Sequence, residues 1–534
     1  MPSAYLALIL HAHLPFVRHP EEKHFLEEDW LFEAISETYI PLLQMMQRLV
    51  SEGVPFKLTL SITPTLAAML QDELLQRRYI QHLDLLIDLA ARERKRNRND
   101  PELRELSQFY FDLFAETRRF FVEEWKCDLL GAFRALRQTG ALEIIASAAT
   151  HGLLPLLQQQ SPQAARAQVL IGRDVYVDLF GADPSGVWLP ECAYAPGLET
   201  VLQEANIRWF VLDAHGLLFA NPQPRRAIYA PCYTPAGPAA FARDRDSSRQ
   251  VWSAHEGYPG DPAYREFYRD AGFDLPLEHV GPIARGTRKF SGIKYHRVTD
   301  RGQEKELYDR AAAERAVHEH ANHFLEQRAA QLRRASALNA DPIVVIPFDA
   351  ELFGHWWFEG PRFLELFIRK AAFDQKEFRL TTPSEYLARY PTQQTTEPAT
   401  SSWGEGGHLG VWLDPSNTWI YPHLHAATRK MTELAQRFSA PAAGTAPALQ
   451  PATLFDRVLK QLARELLLAQ SSDWAFLMKT GTAREYATKR TMDHLVRFNR
   501  LHDQFVANQL DEKFLADCEW RDNLFPNVNW RYYI

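Results

Sequence analysis

The chain predicts an α/β barrel that carries a helical insertion and is followed by a C-terminal helical domain. Three observations carry that prediction. Short, continuously apolar runs recur through the first 390 residues with helical segments between them. The stretch 64–137 is helical by its pattern and interrupts that alternation. From residue 423 onward the patterns are helical.

The apolar runs lie at 5–10, 56–62, 142–147, 187–191, 207–213 and 343–349, with a weaker one at 378–381. Such runs read as strands buried on both faces of a parallel sheet. Their alternation with helices gives βα units. Six or seven units suggest a barrel, whose chemistry sits at the C-terminal strand ends. The basic run 92–98 within the insertion reads as a solvated helix end. Residues 220–288, rich in Pro, Gly and Tyr and weakly periodic, read as a long aromatic loop region. A long amphipathic helix is expected at 304–338. The Thr- and Pro-rich stretch 391–402 and the aromatic, Gly-rich 403–421 form a linker, taken as 391–422. Helical patterns at 423–439, 454–469 and 482–509 build the C-terminal domain 423–534, with an Ala- and Pro-rich connector at 440–452. The catalytic barrel is expected to span 1–390.

Of 534 residues, 46% are hydrophobic and 24% charged, so a sizeable core is available. Lys plus Arg number 60 against 67 Asp plus Glu, a net charge of −7. That balance gives no footprint for nucleic acid or an anionic membrane. The opening apolar run is too short for a membrane span and lacks a signal peptide's basic region. Four scattered cysteines without a CxxC pair argue against a disulfide framework or thiolate zinc site and fit a reducing cytoplasm.

Two apolar runs end in carboxylates. Glu191 closes Gly186-Val187-Trp188-Leu189-Pro190-Glu191, and Asp349 closes Ile343-Val344-Val345-Ile346-Pro347-Phe348-Asp349. Two carboxylates at the ends of two buried strands suit glycosidic bond chemistry. Glu191 fits a nucleophile or a structural ion pair. Asp349 fits a general acid held neutral by burial and a neighbouring carboxylate, and Glu351 rivals it. His355 and Trp356 follow in a loop that either lines a sugar site or caps the barrel. His11 and His13 form a His-x-His pair whose rings share one strand face, and His151 ends the third strand. Those three imidazoles fit a metal, as in carbohydrate deacetylases, sugar contacts or a structural role. Glu485, at a helix start, fits a dipole-complementing position.

Four segments in order, His11-Ala12-His13-Leu14-Pro15, Thr150-His151-Gly152, Trp188-Leu189-Pro190-Glu191-Cys192 and Phe348-Asp349-Ala350-Glu351-Leu352-Phe353-Gly354-His355-Trp356-Trp357, resemble the motifs of glycoside hydrolase family 57. Ser247-Ser248-Arg249-Gln250-Val251-Trp252, Gly257-Tyr258-Pro259-Gly260-Asp261, Tyr264-Arg265-Glu266-Phe267-Tyr268, Ser291-Gly292-Ile293-Lys294-Tyr295, Trp403, Trp412 and Ser472-Asp473-Trp474 resemble its 1,4-α-glucan branching subgroup. The resemblance implies a distorted (β/α)7 barrel, Glu191 as nucleophile and Asp349 rather than Glu351 as acid/base. It implies that Arg265, Gly292, Trp403, Asp473 and Thr482 contact the glucan. It implies further that the histidines contact sugar and that no metal or cofactor is needed.

The expected reaction is a double displacement at an α-1,4 bond, with a glucan 6-hydroxyl as acceptor and net retention. The partners are then an α-1,4-glucan donor and acceptor. Water competes as acceptor, so a lid is expected. The aromatic stretch 229–252 is the candidate, with Tyr233 near its tip, and Trp403 and Trp412 are candidate platforms. A 4-α-glucanotransferase or α-amylase of the same family is the alternative. A metal-dependent deacetylase is the remote one.

Overall fold

The computed structural model describes residues 4–253, 256–284, 286–299, 304–338, 340–439 and 453–534. The expected connector at 440–452 lies outside them. Nine strands occur among the described residues: β1 (Ala4–Ala12), β2 (Leu58–Ile62), β3 (Leu142–Ser147), β4 (Gly186–Trp188), β5 (Trp209–Leu212), β6 (Cys232–Tyr233), β7 (Ala239–Ala242), β8 (Ile343–Asp349) and β9 (Phe378–Leu380). β1 to β5 pair in chain order, β7 pairs with β5, and β8 returns to β1, all in parallel. β7 and β8 close the ring through one parallel bridge between Arg243 and Val345, where the Asp244 N–H donates to the Val345 carbonyl at 2.8 Å. Seven strands therefore make the barrel, as expected for a (β/α)7 fold.

The seventh strand is not where the sequence placed it. Ala239-Ala240-Phe241-Ala242 is poor in β-branched residues, so it read as part of the loop 220–288. It is nevertheless buried and paired with β5. The run 378–381 does form a strand, but β9 pairs with Ala4, Tyr5 and Leu6 at the foot of β1. β2 takes Ile9 to Ala12 and β8 takes Tyr5 to His11, so β9 stands outside the ring.

Alternation along the strands sorts the side chains. Leu6, Leu8 and Leu10 of β1 join the outer core under the helices, whereas Tyr5, Ala7 and Ile9 join a smaller inner core with Trp188, Trp209, Phe241 and Val345. The barrel is thus packed, not a pore. His11 and Asp349 continue the inward-facing series at the C-terminal end, paired in register.

The insertion comprises helices Pro64–Gln71, Glu73–Arg96, Pro101–Arg119 and Leu129–Gln138. Asp72 and Asp100 cap the second and third by accepting backbone N–H bonds. The run 92–98 ends helix Glu73–Arg96, where basic charge complements the dipole. The long helix before β8 is Arg310–Ala335. The C-terminal part holds helices Ile420–Ser439, Leu454–Ala469, Ser472–Thr480, Arg484–Val506 and Glu512–Arg521. No described helix is long and apolar enough to cross a membrane.

Candidate active site

β4 ends at Trp188, and a single 3-10 turn, Pro190–Cys192, carries Glu191 over the barrel mouth. Glu191 has φ 62° and ψ 22°, a left-handed backbone that a branched-off side chain rarely adopts. His151 (φ 57°) and Cys192 (φ 48°) share it. Three non-glycine residues in this region within one site are held there by their surroundings, a pattern of functional strain. Gly172 permits the packing behind it, since a Cβ there would lie 2.2 Å from the Ser147 carbonyl.

Both oxygens of Glu191 are held. The Trp403 indole N–H donates to Oε2 at 2.8 Å and the Ser472 hydroxyl donates to Oε1 at 2.9 Å. Burial pushes the Glu191 carboxyl up to about 7, while the Trp403 bond opposes the rise. The Asp473 charge adds to the rise and the Ser472 bond also opposes it. Trp188 lies beneath, fully buried, flat against His11 at 4.4 Å and edge-on to Trp403 at 5.2 Å.

Asp349 ends β8. Burial, then the charges of Glu351 and Glu191, hold its carboxyl well above the usual carboxylate range. Arg243, at the end of β7, acts in the opposite sense. Arg243 also lies 5.4 Å over the Trp403 ring and donates to Asp213 at 3.3 Å. Glu351 is tied down: its Oε1 accepts from Tyr39 Oη at 2.5 Å and from the His13 N–H at 3.1 Å. That occupation distinguishes it from Asp349.

The three histidines do come together. His11 and His13, His11 and His151, and His13 and His151 stack at 5.6, 5.1 and 3.9 Å between ring centres. His13 Nε2 faces both oxygens of Asp473 at 3.1 Å. Burial works to lower His13, but Asp473 raises it above its ordinary value, and His13 in turn helps hold Asp473 at about 2 against burial. Burial and the neighbouring imidazoles keep His11 and His151 neutral. His13, His151 and Asp473 bring ligand atoms within 4.8 Å of one another. Each ring nitrogen of His13 and His151 already has a protein partner: Thr63 and Asp473 for one, His11 and Ser472 for the other.

A second cluster centres on Glu37, which sits in a π turn, Ile35–Tyr39, of the kind common at functional sites. His355 Nδ1 meets Glu37 Oε2 at 2.7 Å and Arg265 approaches Oε1 at 3.5 Å. Against burial, those partners hold Glu37 at about 2. Gly292 (φ +74°) opens onto the same carboxylate. Trp356, 55% exposed, stacks on Phe267 at 4.6 Å and offers an open aromatic face. The Arg265 side chain, expected to contact the glucan, is only 2% exposed, lies on Phe358 and faces Glu37.

Three expected contacts are not brought here. Trp412 is buried at 1% exposure, packed against Gly404, and offers no free ring face. Thr482 lies past the far end of helix Ser472–Thr480, exposed and bonded to Thr480. Tyr233 belongs to β6 and pairs with Ala239 at the N-terminal end of β7, with its hydroxyl on the Pro391 carbonyl. It is therefore at the foot of the barrel, opposite the carboxylates, and is not a lid. Of the stretch 229–252, Ala239–Ala242 is barrel wall and Arg245–Trp252 is a helix whose exposed Trp252 lies 6.0 Å from the Trp403 ring. Residues without a singled-out sequence signal are Ser472, Arg243, Tyr39 and Glu37. Ser472 lies next to Asp473 in Ser472-Asp473-Trp474, whereas Arg243, Tyr39 and Glu37 carry no local cue.

Residues 7–398 match the family model described as Glycosyl hydrolase family 57, and residues 423–533 match that of the 1,4-alpha-glucan branching enzyme C-terminal domain. The chain is 34% identical to the 1,4-alpha-glucan branching enzyme TK1436 of Thermococcus kodakarensis, over 98% of this chain and 78% of that protein. Its structure resembles that of the α-amylase AmyC of Thermotoga maritima, with TM-score 0.91, 43% identity and coverage of 100% and 99% of the two chains. It also resembles the GH57-type branching enzyme of Pyrococcus horikoshii, with TM-score 0.87, 35% identity and coverage of 100% and 97%.

Proposed function

The chain belongs to glycosyl hydrolase family 57, and from that premise we propose that it is a 1,4-α-glucan branching enzyme working through Glu191 and Asp349. One observation carries the reading. The region matching the branching-enzyme C-terminal domain supplies Ser472 to the carboxylate at the barrel mouth. The reading takes 1–390 as catalytic barrel, 391–422 as a linker supplying Trp403, and 423–534 as a helical domain completing the site.

Glu191 attacks the anomeric carbon of an α-1,4-linked glucan. The glycosidic C–O bond breaks as Asp349 passes its proton to the leaving oxygen. An ester joins Glu191 to the transferred chain. Asp349, now ionised, takes the proton from an acceptor 6-hydroxyl. That oxygen attacks the same carbon, the ester opens, and Glu191 returns as carboxylate. Two inversions give retention. Burial lifts both carboxyls: Asp349 well above the usual carboxylate range, which supports its role as acid, and Glu191 to about 7, where the Trp403 and Ser472 donors oppose the rise. Asp473 and Trp356 are the groups placed to hydrogen-bond or stack on sugar, with His13 holding Asp473 in place. Four free cysteines, three of them buried, support a reducing, cytoplasmic location.

The similarity to AmyC favours a second reading, in which water is the acceptor. Incubation with amylose separates the two. New α-1,6 linkages, counted by proton NMR or after debranching, mark transfer. New reducing ends without such linkages would refute branching.

A further inference from the structure

Four hydrogen bonds run in line through the barrel mouth to Glu191. Ser61 Oγ lies 3.1 Å from His11 Nδ1, and His11 Nε2 lies 3.0 Å from His151 Nε2. His151 Nδ1 lies 3.0 Å from Ser472 Oγ, which lies 2.9 Å from Glu191 Oε1. Ser61, His11, His151 and Ser472 are all buried.

The proton inventory allows one order while Glu191 is ionised. A carboxylate only accepts, so the Ser472 hydroxyl donates to it and its own lone pair takes His151 Nδ1–H. His151 Nε2 is then bare and takes His11 Nε2–H. His11 Nδ1 is bare in turn and takes the Ser61 hydroxyl. When Glu191 carries a proton, the whole order turns round, ending with His11 Nδ1–H on Ser61. Both orders use neutral imidazoles, which burial and the neighbouring rings enforce. The two hydroxyls switch between donor and acceptor by rotating and the two neutral imidazoles by exchanging tautomers, so the segment from Ser61 to Ser472 reverses without a change of charge.

We propose that Ser472 and Ser61 are positioning residues for the nucleophile, acting through His11 and His151 as a single chain that sets the direction of the bond Glu191 receives and so keeps its carboxylate ionised and aimed. The inference rests on Glu191 being the nucleophile. Other charged or titratable groups face Glu191 from every side: Asp473 from the C-terminal helix, His13 from the end of β1, Asp349 from β8 and Cys192 next in the chain. None of them is altered by changing the two serines.

The test measures kcat, KM for amylose and the acid limb of the kcat/KM pH profile. Ser472→Ala removes a charge-assisted bond and should lower kcat about ten- to hundredfold with KM changed less than about twofold. Its acid limb should move to higher pH, because a donor to the ionised form is lost. Ser61→Ala, which touches neither substrate nor Glu191, should move the limb in the same direction with a smaller kcat loss, about three- to tenfold. Ser61→Thr, which keeps the hydroxyl, should restore both. A merely structural Ser61 would leave the limb in place, and an unmoved limb in Ser472→Ala and Ser61→Ala overturns the proposal. Glu191→Gln is assayed beside them. If it retains activity, the nucleophile assignment fails; if it is inactive while the serine variants keep the native limb, the chain alone fails.

Discussion

Glu191→Gln should abolish turnover and yet stabilise the protein at pH 8. Burial lifts the Glu191 carboxyl from its ordinary 4.5 to about 7. A folded-state value above the unfolded one means that the folded chain holds this proton more tightly. The stabilisation is fully present below about pH 4.5 and is lost as pH rises through 7. At pH 8 the native protein therefore keeps a carboxylate ionised although its side chain is only 14% exposed. A pKa rise of about 2.5, at ~1.4 kcal/mol each, makes this cost about 3.5 kcal/mol. Glutamine removes the charge and fits the partners. Its carbonyl accepts from Trp403, which only donates, and its amide donates to Ser472, which can turn round. With ~2.1 cal/mol/K of unfolding entropy per residue over 534 residues, the gain is about 3 °C in Tm. Calorimetric melts of both proteins at pH 5, 6.5, 8 and 9 check it. The difference should be about a quarter of its full size at pH 5 and reach its full size by pH 8. An offset independent of pH, or a loss of stability at pH 8, would refute the electrostatic reasoning.

Trp403→Phe keeps an aromatic ring beside Trp188 but removes the donor to Glu191 Oε2. Its kcat/KM for branching should fall about ten- to hundredfold, and the acid limb of the pH profile should rise. Trp412→Phe should leave KM for amylose unchanged, because that ring is buried, whereas Trp412→Ala should cost about 3–5 kcal/mol in denaturant unfolding. Gly354→Ala should lose branching activity. At φ +119° its new methyl would stand 1.8 Å from the Glu37 carbonyl and displace the loop behind Asp349, which a lowered rate at normal far-UV circular dichroism would report.

The two carboxylates, the three histidines and Trp403 were legible because each sits beside a strong local pattern, an apolar run ending at a polar residue or a Gly- and Trp-rich segment. Six of the seven barrel strands were legible for the same reason. β7 was not: three alanines carry little strand signal, and its pairing with β5 and β8 is what makes Ala239–Ala242 a strand. The same holds for Tyr233 and Trp412. Their aromatic character was plain, but only the fold puts one at the foot of the barrel and buries the other. Sequence by itself determined which residues are candidates for glycosidic bond chemistry and which apolar runs carry them. Tertiary structure alone decided what each of those residues touches. It brought Ser472 to Glu191 across 281 residues of chain and His13 to Asp473 across 460. No local pattern records such meetings, because they are set by the closure of the ring and the docking of the C-terminal helices, and a carboxylate's charge state depends on those neighbours rather than on the residues beside it in the chain.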